Sequence, residues 1–154
     1  MKTVLITGIT GFLGCHIAEN LINDNYIVIG LKRQQSNIWR CYSLKDKIIW
    51  IDIDDNKNYK KKLLKFNIDI IIHGAWIGVE ANDRNNWKVQ SQNINFLIEL
   101  LQLSEELSLK KFIFLGSQAE YGNINGIINE EQKCEAISAY GSVKLACLEL
   151  LRTF

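Results

Sequence analysis

Proline is absent from this sequence of 154 residues, and cysteine and histidine are few. Without proline or a low-complexity tract, no segment is typical of an interdomain linker, so we predict one domain over residues 1–154. The four cysteines are far apart, no C-x-x-C pair occurs, and only two histidines accompany them. These spacings do not match the common zinc-binding motifs, and we predict that the protein holds no metal.

The sequence also has little net charge and no long apolar run. A formal net charge of +1 argues against nucleic acid and anionic membranes as partners, since both select strongly basic surfaces. Lysines cluster within residues 57–65, but their spacing indicates the solvated face of a short helix rather than a binding patch. With no leader pattern and no run of 18 apolar residues, we expect a cytoplasmic protein with reduced thiols and a small-molecule partner.

Apolar periodicity alternates along the chain between short β-branched runs and helical spacing. The predicted strands are Thr3–Thr7, Tyr26–Leu31, Lys47–Ile51, Ile68–His73 and Lys111–Leu115. One predicted helix begins after Gly14, and the others cover Asn58–Phe66, Trp87–Leu107 and Ala139–Phe154. No stop signal follows the last of them, so the chain is expected to end inside this helix. This alternation predicts an α/β fold with a doubly wound parallel sheet.

A glycine-rich turn joins the first strand to the first helix. It reads Thr7-Gly8-Ile9-Thr10-Gly11-Phe12-Leu13-Gly14. Backbone N–H groups and the helix dipole attract anions at such a junction, which predicts a pyrophosphate site and a Rossmann-type NAD(P)-binding fold. Gly8 would permit the tight turn, Gly11 the close approach of phosphate, and Gly14 the packing of helix on strand. The spacing is G-x-x-G-x-x-G rather than G-x-G-x-x-G, which leaves a plain glycine turn as the alternative.

Two cations, Lys32 and Arg33, follow the second strand. Folds that bind NAD usually carry an acidic residue there for the ribose 2′-hydroxyl, whereas cations attract a 2′-phosphate. We therefore predict NADP(H) in preference to NAD(H). The alternative is that both residues are ordinary surface cations.

Tyr140 and Lys144 are spaced to share one face of the last helix. A neighbouring cation favours the phenolate form of a tyrosine, so Tyr140 is a candidate general acid and base. Ser117 follows the fifth strand, at the edge where ligands bind in open α/β sheets, and its hydroxyl is a candidate partner for a reacting oxygen.

With these motifs in this order, the sequence resembles the extended branch of the short-chain dehydrogenase/reductase superfamily, the NAD(P)-dependent sugar-nucleotide epimerases, dehydratases and reductases. The resemblance covers essentially all 154 residues. Beyond the glycine turn and the Tyr-x-x-x-Lys pair, it rests on Asp52-Ile53, Ile72-His73-Gly74-Ala75, Asn93 and Ser117-Gln118-Ala119-Glu120-Tyr121-Gly122.

The resemblance implies roles for these positions. Asp52 and Ile53 would flank the adenine, and Gly74 and Ala75 would line the cofactor. Ser117 would orient the substrate, Tyr140 would exchange its proton, and Lys144 would hold the nicotinamide ribose and tune Tyr140. Hydride would move between a sugar carbon and the nicotinamide. Asn93 would support the cofactor site, or simply serve a helix N–H or carbonyl.

Two features of the sequence narrow the range of activities that the resemblance implies. Dehydratases of this family carry an Asp-Glu pair after the active-site hydroxyl, whereas Gln118 and Ala119 stand here, which favours an epimerase or a keto-sugar reductase. The segment Ala75-Trp76-Ile77-Gly78, with Arg84 and Gln92 further on, resembles the variety found in enzymes of surface polysaccharide synthesis. Trp76 would then border the bound ligands, or else serve packing.

Family members are about twice as long, so we interpret these residues as an N-terminal part without the C-terminal substrate domain. The alternative is a non-catalytic NADP(H)-binding module or an inactive truncated fragment. The resemblance also implies a homodimer through the long helix and the Tyr-Lys helix. The apolar residues that would either form that contact or cover the sheet are Leu97, Leu101, Cys147 and Leu151.

Overall fold

The structure, a computed structural model, describes residues 1–53 and 58–154. The strands are β1 (Thr3–Thr7), β2 (Ile27–Arg33), β3 (Ile48–Ile53), β4 (Ile70–His73) and β5 (Lys111–Phe114). The α-helices are α1 (Phe12–Asn23), α2 (Asn58–Leu63), α3 (Trp87–Gln90), α4 (Gln92–Glu106) and α5 (Ala139–Arg152). Short 3-10 helices cover Trp39–Leu44, Ala81–Asp83 and Gln118–Glu120.

The five strands form one parallel sheet in the order β3-β2-β1-β4-β5. This order confirms the predicted doubly wound arrangement, in which the chain leaves the first strand in one direction and returns to its other side. Every residue of β1 is buried, as expected for the central strand of a parallel sheet with both faces covered. The carboxyl ends of β1 and β4 therefore lie side by side, with Thr7 paired to His73.

Several predicted boundaries shift. β2 runs two residues further, to Arg33, because Lys32 and Arg33 pair with the end of β3. The predicted helix 87–107 is divided into α3 and α4 at Ser91. The last helix ends at Arg152 rather than at the terminus, since Thr153 closes it by donating from its hydroxyl to the Leu150 carbonyl at 2.8 Å.

The chain forms two compact units. The first, residues 1–75 and 103–115, contains the sheet. Its apolar core includes Val4, Ile6, Ile9, Ala18, Val28 and Ile72. The second, residues 76–102 and 116–154, contains α3, α5 and most of α4.

The lysine cluster lies on and beside α2, where Lys61, Lys62 and Lys65 are exposed while Tyr59 and Leu63 are buried, as an amphipathic helix requires; Lys57 lies outside the described residues. Within the described part of the chain, no helix has the length and apolar character that crossing a membrane would demand.

Candidate functional site

The glycine turn of the first unit lies where the sequence predicts an anion site, and backbone atoms crowd its glycines. Gly8 has φ of +73°, and a Cβ there would lie 2.6 Å from the Ala75 nitrogen. Gly11 caps α1 without a side chain, and its N–H donates to the Gly8 carbonyl at 3.0 Å. A Cβ on Gly14 would collide with the backbone of Gly8 and Ile9. The turn therefore brings the start of α1, with its exposed N–H groups, within reach of a phosphate, and these residues fit the phosphates of a dinucleotide.

The flanks of this turn differ in exposure. Phe12 and Leu13 are exposed on the first turn of α1, and Thr10 is half-buried. Thr7 is buried, and its hydroxyl lies 2.7 Å from Nδ1 of His73 while accepting the Ala75 N–H at 3.2 Å. Thr7 therefore joins the ends of β1 and β4 and fixes Ala75, rather than presenting its hydroxyl to solvent.

At the tips of β2 and β3, an ion pair changes the charge that the sequence suggested. Lys32 Nζ lies 2.5 Å from Asp52 Oδ1, because the parallel register sets these residues opposite each other. The prediction treated Lys32 and Arg33 as two available cations. Asp52 neutralises Lys32, whereas Arg33 is exposed and has no ion-pair partner among residues 1–53 and 58–154. Ile53 ends β3 half-buried beside this pair.

In the second unit, Ser117 begins a capping box. Its Oγ accepts the Ala119 N–H at 3.2 Å, and its own N–H donates to Glu120 Oε1 at 2.6 Å. Since a hydroxyl that accepts still has its own proton, Ser117 can donate to a substrate oxygen. Gly141 of α5 packs so closely on the Ala119 carbonyl that a Cβ would collide with it. The Ser117 turn is thereby fixed against the first turn of α5.

Tyr140 and Lys144 lie on that helix, whose N-terminus is capped by the Ser138 hydroxyl accepting from the Gly141 N–H. The Tyr140 N–H donates to the Arg84 carbonyl at 2.8 Å, and the Arg84 guanidinium lies 5.3 Å from the Tyr140 ring centroid. Lys144 is buried, with its ammonium 3.9 Å from the centroid of the Trp76 ring. Arg84 and Trp76 therefore both contact the Tyr140 ring, and Lys144 follows one helical turn further along α5.

Burial lowers the pKa of Lys144 to about 8, although the Glu120 carboxylate and Cys147 favour its charged form. Burial likewise raises the pKa of the Cys147 thiol to about 11, so Cys147 stays neutral at physiological pH. Lys144 is therefore a cation that can lose its proton within the pH range of most enzyme assays.

This lowered pKa predicts a pH-dependent contribution to stability. Between the folded pKa of about 8 and the ordinary value of 10.5, the unfolded chain binds more protons at this position, so stability rises with pH. Relative to Lys144→Met, the native chain should gain about 3 kcal/mol in free energy of unfolding across that window. Urea denaturation of both proteins from pH 7 to 10.5 measures the difference. A difference that stays constant with pH would contradict the assignment.

Asn93 is buried, and its amide serves the backbone. Its Oδ1 accepts the Ile77 N–H at 2.8 Å, and its Nδ2 donates to the carbonyls of Ile77 and Gln90. Asn93 was expected either to support a cofactor site or to serve backbone groups, and in the structure its amide binds backbone groups. Any effect of Asn93 on a cofactor would therefore act through the segment around Ile77.

A cleft of about 620 Å³ lies within the second unit. Its lining includes Arg84, Gln118, Ala119 and Ser138. The two positions that carry acids in dehydratases therefore border this cleft with an amide and a methyl group, which supply no acid or base for the elimination of water.

Residues 4–154 match the model of the NAD dependent epimerase/dehydratase family. The chain belongs to this family. The match confirms the resemblance inferred from the sequence motifs, and the family is NAD(P)-dependent.

Relatives within the family are sugar-nucleotide epimerases. The UDP-glucuronate 4-epimerase of Thermodesulfobacterium geofontis is 27% identical over 156 residues, which cover 94% of this chain and 48% of the relative. The UDP-glucose 4-epimerase of Lactobacillus helveticus is 27% identical over 144 residues, or 92% of this chain and 44% of the relative. The solved UDP-glucuronic acid 4-epimerase of Bacillus cereus, in complex with UDP-glucuronic acid and NAD, has a TM-score of 0.84 at 27% identity and covers 98% of this chain and 51% of that one. The chain thus spans about half the length of the curated relatives it matches.

Glu120 and Gln90 of the second unit were given no role from the sequence, and Arg84 was noted only as accompanying the Ala75-Trp76-Ile77-Gly78 segment. Glu120 is buried beneath Ser117, Arg84 lies beside Tyr140, and Gln90 binds Trp76. The Ser-x-x-Glu spacing of residues 117–120 is a capping-box signal that points to Glu120. No comparable local pattern marks Gln90, because its hydrogen bonds go to residues distant in sequence.

The residues considered for a dimer contact fall into two groups. Leu97 and Cys147 are fully buried within the chain, so they serve its own core. Leu101 and Leu151 are half-buried, and their neighbours Ile98 and Leu150 are exposed.

Proposed function

We propose that this chain is the cofactor-binding part of an NAD(P)-dependent epimerase that inverts a carbinol carbon of a nucleotide-activated sugar. The observation that carries the proposal is the arrangement in the second unit. There the Ser117 turn packs on the start of α5, and α5 presents Tyr140 one turn from the buried cation Lys144. The epimerase names of the relatives favour this reaction over keto-sugar reduction.

The turn residues 7–14 would hold the cofactor by its phosphates, and the cofactor would supply the hydride acceptor and donor that inversion of the sugar carbon requires. Tyr140, as phenolate, would remove the proton of the sugar hydroxyl and later return a proton to the ketone oxygen. Ser117 would donate a hydrogen bond to the same oxygen, and Lys144 would stabilise the phenolate by charge. The roles of the turn residues 7–14, of Asp52, Ile53, Gly74 and Ala75 toward the nucleotide, and of Trp76 and Asn93 toward the nicotinamide half, are part of this proposal.

The activity is tested on the longest protein that the coding sequence around these residues encodes. It is incubated with NAD⁺ or NADP⁺ and UDP-glucose or UDP-glucuronate, and inversion at C4 is followed by NMR. Inversion without net release of NADH or NADPH supports the epimerase. Net consumption of NAD(P)H with a keto-sugar would instead identify a reductase, and cofactor binding without turnover of any sugar nucleotide would identify a binding module.

We extend the proposal to sugars destined for surface polysaccharides, because Ala75-Trp76-Ile77-Gly78 resembles the segment found in such enzymes. We also propose a homodimer in which Leu101 and Leu151 contribute with their exposed neighbours Ile98 and Leu150. Sedimentation equilibrium of the purified chain measures its mass and decides this point.

For the cofactor we propose that NADP(H) is preferred, with Arg33 as the residue that reads the 2′-phosphate. Since Lys32 is neutralised by Asp52, the preference rests on one cation, and Arg33→Ala should weaken NADPH binding about tenfold while leaving NADH unchanged. Energy transfer from tryptophan to the nicotinamide measures both affinities in parallel titrations.

Arg40→Ala provides the control, because this exposed cation stacks on Trp39 and belongs to no proposed contact. Native affinity for NADH equal to or tighter than that for NADPH would overturn the NADP preference. An equal loss for both cofactors in Arg33→Ala would show that Arg33 does not read the 2′-phosphate.

A further inference from the structure

The indole of Trp76 contacts both candidate residues of the proton-transfer helix. The Lys144 ammonium lies over its ring face, 3.9 Å from the centroid. The Tyr140 ring lies edge to face with it, with centroids 5.8 Å apart and an interplanar angle of 76°. Trp76 therefore contacts the two side chains that the proposed function assigns to proton transfer.

A buried amide fixes the orientation of this indole. The Trp76 Nε1–H donates to Gln90 Oε1 at 2.9 Å, and Gln90 is fully buried. Gln90 Nε2 donates in turn to the carbonyls of Gly78 at 2.7 Å and Asp83 at 3.0 Å. With both ends of the amide engaged, it cannot flip without breaking three hydrogen bonds, and the indole is held in one orientation.

The surrounding backbone leaves room for this amide. Gly78 has φ of +80°, and a Cβ on it would lie 2.6 Å from Gln90 Nε2. The segment after β4 thus passes close to Gln90 at the point where its carbonyl accepts the amide. The orientation of the Trp76 indole therefore depends on the packing of Gly78 against Gln90 as well as on the hydrogen bond from its Nε1–H.

We propose that Trp76 is a positioning residue of the proton-transfer site, whose indole, locked by Gln90, holds the Lys144 ammonium on its face and the Tyr140 ring beside it. The proposal rests on the proposed function for its catalytic meaning. The contact between the Trp76 ring and the Lys144 ammonium does not depend on that function. An aromatic face attracts a cation electrostatically, and the attraction is stronger where water is excluded.

Several groups compete for the charge state of Lys144. Burial lowers its pKa to about 8, while Glu120 and Cys147 raise it. Tyr140 precedes Lys144 by one helical turn, and Arg84 faces the Tyr140 ring. The indole face adds a further stabilisation of the ammonium, and weakening that face should lower the pKa of Lys144.

Fluorination of tryptophan tests this without changing the shape of the site, since each fluorine withdraws charge from the ring face. The chain is produced with tryptophan, 5-fluorotryptophan or 5,7-difluorotryptophan and with isotope-labelled lysine. The Lys144 side-chain signal, assigned with Lys144→Met, is titrated by NMR without cofactor or substrate. We expect the Lys144 pKa to fall by about 0.2–0.5 pH unit for each fluorine.

The matched control repeats the series in Trp76→Phe, where only the remaining tryptophans are fluorinated and the Lys144 pKa should stay constant. A constant pKa in the native series, or an equal fall in Trp76→Phe, would overturn the proposal. The NMR titration measures no turnover, so its outcome is independent of the epimerase assay. A stepwise fall in the Lys144 pKa, together with no activity in the epimerase assay, would refute the proposed function but not the contact of Trp76 with Lys144. A constant Lys144 pKa in a protein with epimerase activity would refute only the role proposed for Trp76.

Discussion

Replacement of Tyr140 by phenylalanine is expected to lower the rate of sugar-nucleotide epimerisation by about 10²–10⁴-fold, the range typical of a lost general acid and base. The substitution removes one oxygen and retains the ring that contacts Trp76 and Arg84. The backbone N–H of residue 140 still donates to the Arg84 carbonyl. Folding and cofactor affinity should therefore stay within a few-fold of the native values, and the loss should fall on kcat.

The measurement combines the C4 inversion assay with a cofactor titration of the same preparation. Tyr42→Phe is the control, because the Tyr42 side chain is 65% exposed on the 3-10 helix Trp39–Leu44 and has no assigned role. Activity of Tyr140→Phe within a few-fold of native would remove Tyr140 from the mechanism. Loss of cofactor affinity in parallel with kcat would instead place Tyr140 in binding.

The sheet was predictable from the sequence because each of its strands is a local signal. β1 is an unbroken β-branched run that ends at Gly8, and the structure gives it the predicted bounds Thr3–Thr7. The predicted alternation of strands and helices also appears, and the glycine turn lies between β1 and α1 as expected. These features depend on neighbours in sequence, for which period and turn chemistry suffice.

Features that depend on register or on distant packing were not predictable in the same way. The pairing of Lys32 with Asp52 follows from the alignment of β2 and β3, which no single strand specifies. That pairing reduces by one the cations available for a 2′-phosphate.

The environment of Trp76 shows the same limit. Its partner Gln90 is fully buried at the end of the short helix α3, Trp87–Gln90. A buried glutamine carries no local sequence signal, because its hydrogen bonds go to residues 7–14 positions away. The sequence therefore left open whether Trp76 borders a ligand or serves packing.

Gly8→Ala is expected to lower the free energy of unfolding by about 2–5 kcal/mol. One part of the cost is conformational, since alanine at φ of +73° is strained. The other part is steric, because the new Cβ would lie 2.6 Å from backbone atoms of Gly74 and Ala75, which hydrogen bonds to Thr7 hold in place. Urea denaturation measures the change, and a cofactor titration should show lost affinity because displacement of the turn moves the N–H groups of α1.

Gly126→Ala separates the two parts of this cost. Gly126 also has a positive φ, +104°, but a Cβ there meets no atom within 4 Å among the described residues. Its alanine variant should therefore show only the conformational cost, about 1–3 kcal/mol, and leave cofactor affinity unchanged. Equal destabilisation by the two substitutions would mean that the turn yields to a Cβ. The backbone of the turn would then be more easily displaced than its contacts imply. The need for glycine at position 8 would have to be explained by the close approach of the phosphate.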